Sequence, residues 1–151
     1  MQIVWMVAAL TFALDRATKA LTVARLALGA RVEALPHLLT LWHTRNTGVA
    51  FGMLAQSRLL ALALSLATIA LLFFLLRKSE KTPLLMTAQG LILGGFAGNL
   101  LDRLLAGAVT DMLYFPWLPF FVCNVADVAI CAGVAALGFA SLKRPPRRKE
   151  A

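Results

Sequence analysis

Four aspartates, Asp15, Asp102, Asp111 and Asp127, stand in or beside the most apolar stretches of a chain that is 60% hydrophobic and only 15% charged. None lies in the basic connection around Arg77 or in the basic tail, where an acid serving solubility alone would be expected. An ionisable group within or next to a membrane span is expensive, so the default expectation is a function with a named partner. Asp111 and Asp127 have no obvious cation near them in the sequence. Asp111 follows Gly107 in "GAVTDMLYF", an extended-looking stretch, and Asp127 has Asn124 three residues earlier on the same helix face. Two carboxylates brought together cannot both ionise readily, so one retains a proton. The charged acid then takes a proton from water while the protonated one polarises a scissile carbonyl, which is the chemistry of an aspartic peptidase.

The other polar residues divide by their neighbours. Asp15 and Lys19 are four apart with the acid first, the favourable order for a helical ion pair, and are read as structural or supporting. Asn99, Asp102 and Arg103 approach one side of a helix end, where Arg103 offers a fork of donors to a carboxylate or a peptide carbonyl. Competing chemistries lack their parts. His37 and His43 show no zinc spacing, so no metal is expected, and no cofactor motif is present. Ser57, Ser65, Ser79 and Ser141 have no plausible triad, and Cys123 has no histidine on its own helix.

The elements that must position these residues are membrane spans. Residues 3–28, 59–76, 84–101 and 122–142 are each apolar enough for a bilayer core that takes ~20 residues. The stretch "MQIVWMVAALTFAL" lacks a basic leader and regains apolar character after Lys19, so it reads as a retained first helix. The predicted architecture is an integral membrane, mainly α protein of one domain, residues 1–151, with four transmembrane helices. A small sheet is expected in residues 29–57, which carry alternating, β-branched and aromatic positions between Gly29, Pro36 and Gly48. Gly90, Gly94 and Gly98 should make a smooth ridge on the third span for a close-packed neighbour.

The net charge of +8 is concentrated in Arg77, Lys78 and Lys81 and in Lys143, Arg144, Arg147, Arg148 and Lys149. That distribution argues against nucleic acid and for the positive-inside rule, with both termini cytoplasmic and the acids near the outer surface. The tail is suited to the anionic inner leaflet, and Trp117 with its phenylalanine neighbours to the headgroup level. Cys123 and Cys131 would lie ~12 Å apart along one helix, too far to bridge.

The blocks "LDRATKAL" (14–21), "RNTGVAFG" (45–52), "GGFAGNLLDR" (94–103), "VTDML" (109–113) and "NVADVAI" (124–130) together resemble those of lipoprotein signal peptidase, or signal peptidase II, in the family's order across nearly the whole chain. The resemblance implies four transmembrane helices with a small extracytoplasmic β-cradle, placed in residues 29–57. It implies a bacterial inner-membrane aspartic endopeptidase that removes the signal peptide from diacylglyceryl-modified prolipoproteins, cutting before the lipid-modified cysteine. By that likeness Asp111 and Asp127 are the catalytic pair, and Asn46, Asn99, Arg103 and Asn124 match polar positions lining the site. Asp15 and Lys19 match a block of supporting role, as does Asp102. Two positions depart from the pattern: Cys123 stands where phenylalanine is common, and Phe96 and Ala97 reverse the usual size order. The expected partners are lipid-modified prolipoprotein signal peptides and membrane lipids, with no nucleic acid and a monomeric enzyme. The rival reading is a small four-span transporter or ion channel using its buried acids as a relay, which leaves "NTGVAFG" and the clustering of acids unexplained.

Overall fold

A computed structural model describes residues 1–47, 82–118 and 121–142, together with the helical positions Ala63, Leu66, Ala67 and Ala70. Helix α1 runs Gln2–Arg25. Its buried residues are Val4, Thr11, Asp15, Lys19 and Thr22, while Trp5, Met6, Leu10, Leu14 and Leu21 are exposed. Polar groups inside and apolar ones outside is the inverse of a water-soluble helix, and it is the distribution that lipid as solvent favours. Helix α2, Pro83–Ala106, starts with Thr82 accepting from the Leu85 N–H and with proline in its first turn, both ordinary N-terminal signals. It ends at Gly107, whose φ of 69° permits the left-handed turn that returns its N–H to the Arg103 carbonyl. Among the described residues α2 is the helix long and apolar enough to cross a membrane by length and composition, and Val125–Ala140 is apolar but shorter.

Helix α3, Val125–Leu142, completes the described bundle, with α2 packed against both α1 and α3. The glycine ridge works as its spacing predicts: a Cβ on Gly90 would come within 2.8 Å of the Val4 carbonyl, and one on Gly94 would strike the Ala8 carbonyl. At Gly98 the obstacle is a carboxylate, because a Cβ there would meet Asp15. Gly98 therefore makes room for a charged group as well as for a helix.

The sheet extends beyond its expected segment. Strands β1 (Arg31–Leu35) and β2 (Leu39–Asn46) do arise from residues 29–57, but β3 (Val109–Tyr114) and β4 (Val122–Cys123) join them in an antiparallel sheet of order β1-β2-β3-β4. Val122 and Cys123 were expected to open the fourth span; the helix instead begins at Val125, because the Asn124 side chain caps it. His43 ties the sheet to α1: its Nδ1 lies 2.8 Å from the Leu26 carbonyl, which can only accept, so Nδ1 carries the proton. The first span is helical only as far as Arg25, and Gly29, at φ 84°, turns the chain into β1. Most of the second span, the basic connection, residues 48–57 of the outer segment and the tail lie outside the described residues.

Candidate active site

Asp111 sits in the middle of β3, paired across the sheet with Thr44, while Asn46 on β2 faces Val109. Asn46 and Asp111 are therefore diagonal neighbours on one face of the sheet, close enough for side chains to meet. Asn46 Nδ2 donates to Asp111 Oδ2 at 3.0 Å. Asp127 comes from another element, the first turn of α3, where it and Asn124 form a reciprocal cap. The Asp127 N–H donates to Asn124 Oδ1 at 3.0 Å, and the Asn124 N–H donates to Asp127 Oδ2 at 3.2 Å. This is the capping-box arrangement with aspartate as the returning acid. It places Asp127 nearer the helix start than the sequence suggested, in reach of the positive end of the helix dipole.

Asn124 links the two acids. Its Nδ2 donates to Asp111 Oδ1 at 2.6 Å and to Asn99 Oδ1 at 3.1 Å, so every polar atom of this fully buried amide is used. Asn99, on α2, donates in turn from Nδ2 to Asp127 Oδ1 at 2.7 Å. Each carboxylate thus accepts two N–H groups, and one asparagine serves both. Asp111 lies outside the spans, on the sheet. Burial above all, and then the neighbouring Asp127 charge, push its carboxyl up to about 7, against the pull of the Asn46 and Asn124 hydrogen bonds and of Lys19. An acid that retains a proton near neutrality, beside a second acid, is equipped for proton transfer in both directions.

A cluster of ions lies beneath. Lys19 is 2.9 Å from Asp15 Oδ2 and 3.0 Å from Asp102 Oδ2, and donates to Asn99 Oδ1 at 2.8 Å. Asp15 Oδ1 accepts the Ala126 N–H at 3.0 Å, fastening α1 to the start of α3. Asp102 also pairs with Arg16 and accepts the Thr110 N–H at 3.2 Å, which ties α2 to the residue before Asp111. The Asp15–Lys19 pair expected from spacing is therefore present, as part of a larger assembly. Arg103 is half-buried, donates to the Asn99 carbonyl at 3.4 Å, and feels the charges of Asp127, Asp111 and Asp102. Arg16 escaped the sequence reading; a second cation in an expected span, next to Asp15, was the signal for it. Among the described residues no three His, Cys, Asp or Glu side chains gather as a metal site.

The structure thus brings Asn46, Asn99, Asn124, Asp111 and Asp127 into one hydrogen-bonded network, with Asp15, Lys19 and Asp102 behind it and Arg103 at its side. The sequence profile described as signal peptidase (SPase) II matches residues 7–143. A lipoprotein signal peptidase of Symbiobacterium thermophilum is 39% identical over 126 residues, covering 82% of this chain and 83% of its own. One from Nitratidesulfovibrio vulgaris is 38% identical over 154 residues, covering 96% and 92%. A solved structure titled a bacterial membrane enzyme superposes with a TM-score of 0.89 at 25% identity, covering 100% of this chain and 94% of that one.

Proposed function

Because the chain belongs to the signal peptidase II family, we propose that it removes the signal peptide from diacylglyceryl-modified prolipoproteins, cutting before the lipid-modified cysteine, with Asp111 and Asp127 as an aspartic dyad. The observation that carries the dyad is Asn124, which holds Asp111 through its side chain and Asp127 through its cap. Each acid accepts two N–H groups, but Asp127 alone stands at a helix N-terminus, so it is the member better provided to carry the negative charge. It takes a proton from water as the oxygen attacks the scissile carbonyl, and the Asp111 proton moves onto the developing oxyanion. Collapse of the tetrahedral intermediate returns that proton to Asp111, while the proton held by Asp127 goes to the leaving amine. Asn46, Asn99 and Asn124 keep the carboxylates in register, and the Arg103 guanidinium beside them is the donor assigned to a substrate carbonyl.

In this reading the protein is a multi-pass, monomeric enzyme of the bacterial inner membrane, with four spans, cytoplasmic termini and its site near the outer surface. Membrane lipids bathe the exposed apolar faces. The acids gather in one cluster, which suits a reaction centre better than a relay distributed across the bilayer. Incubating the purified chain with a lipid-modified preprolipoprotein should yield the shortened product. Asp111→Asn and Asp127→Asn should each fold and bind substrate yet lose about 10⁴-fold in turnover, with the double variant little worse, because members of a unit are not additive. Substantial cleavage by either single variant would defeat the dyad.

A further inference from the structure

Lys19 does more than face its helical partner. Three oxygens lie within 3.0 Å of its ammonium, from Asn99, Asp15 and Asp102. An ammonium has three N–H groups and no acceptor, so any polar atom facing it must itself accept. Asn99 therefore has no choice of orientation: Oδ1 turns to Lys19, and Nδ2 turns to Asp127. The same Oδ1 receives Asn124, whose remaining N–H reaches Asp111. Turned over, Asn99 would set a carbonyl oxygen against the Asp127 carboxylate and lose the Asn124 contact. Charge balance alone does not require this geometry, since Asp102 also has Arg16 and Asp15 Oδ1 has the Ala126 N–H.

We propose that Lys19 is a positioning residue for cleavage, fixing through Asn99 the donor that holds Asp127 and, one step further, the donor on Asp111. The inference rests on the dyad reading above. The charged groups around this relay are Asp15 and Arg16 from α1, Asp102 and Arg103 from α2, Asp111 from β3 and Asp127 from α3.

Asp15→Asn combined with Lys19→Met removes one charge of each sign, so no buried ion is left unpaired. In the detergent-solubilised full chain with lipid-modified preprolipoprotein, KM should stay within about threefold while kcat falls roughly 10- to 100-fold, as for loss of one hydrogen bond to a charged group. The acid limb of the kcat profile should move to higher pH. Asn99→Leu should lower kcat to a similar extent in the wild-type chain and add little to the double variant. An unchanged kcat and pH profile in the folded double variant, or a full additional loss from Asn99→Leu, would overturn the proposal. Should the double variant not accumulate, Lys19→Gln, whose amide tolerates either orientation of Asn99, is judged by the same two criteria. Failure of the dyad itself would show separately, as turnover by Asp111→Asn or Asp127→Asn.

Discussion

At the scale of the residue, Asp111 is the group whose surroundings make the firmest demands. Its carboxyl titrates near 7 rather than at the ordinary 3.8, chiefly through burial. If its proton is the one delivered to the substrate, kcat should fall as pH rises through about 7, and a profile still rising between pH 7 and 8 would contradict that role. Stability carries the same signature. An acid whose folded value is raised adds stability below its ordinary value and loses it as pH climbs through the folded one, here between about 4 and about 7. Asp111→Asn abolishes that loss but also leaves Asn46 or Asn124 with a poorer acceptor. The variant's stability relative to wild type should therefore be more favourable at pH 8 than at pH 5, by roughly 1–3 kcal/mol, as read from thermal melts. A difference independent of pH would show that Asp111 is not shifted. Four aspartates, with Asn99 and Asn124, were legible from type and spacing, whereas Asn46 entered only through the likeness of its block to the family. That Lys19 and Arg16 answer Asp102 was not, because they lie more than eighty positions away.

Among the elements, α2 has the narrowest tolerances. Gly94 faces backbone on α1, which cannot swing aside, whereas among the described residues nothing lies within 4 Å of a Cβ on Gly138. Gly94→Ala should cost about 1–3 kcal/mol of stability, as overpacking does. Gly138→Ala should be neutral or stabilising by up to about 1 kcal/mol, through helix propensity alone. Equal effects in thermal melts would mean that the ridge is not the α1 contact. Periodicity and small residues announced this helix and its packing face. The sheet was only half legible. β1 and β2 follow one another and carry strand-like alternation, but β3 and the two-residue β4 are recruited from beyond α2, and no local pattern reports a partner that far off. The start of α3 was misread for a related reason. Apolar character continues through Val122 and Cys123, while the hydrogen bonds between Asn124 and Asp127 decide where the helix begins.

For the whole molecule the prediction concerns orientation in the bilayer. The basic connection and tail predict that a cysteine placed at Ala34 is labelled by a membrane-impermeant thiol reagent from outside and one placed at Ser79 is not. The reverse pattern would put the proposed site on the cytoplasmic face. Apolar length and charge asymmetry make the membrane class plain from sequence, and the five blocks mark the family. The depth at which each helix sits depends on packing that neither signal encodes. The strand pairing between Asn46 and Val109 has a bearing on the life of the enzyme before it is mature. The hydrogen-bonded centre takes members from Lys19 near the beginning of the chain to Asp127 near its end, with a sheet closed across the intervening helix. Asn124 and Asp127 both belong to the start of α3, so the earlier helices alone hold neither. If Asp111 and Asp127 form the dyad, the centre is incomplete until α3 packs against α2, and a chain cut before Asn124 should show no cleavage of a lipid-modified preprolipoprotein.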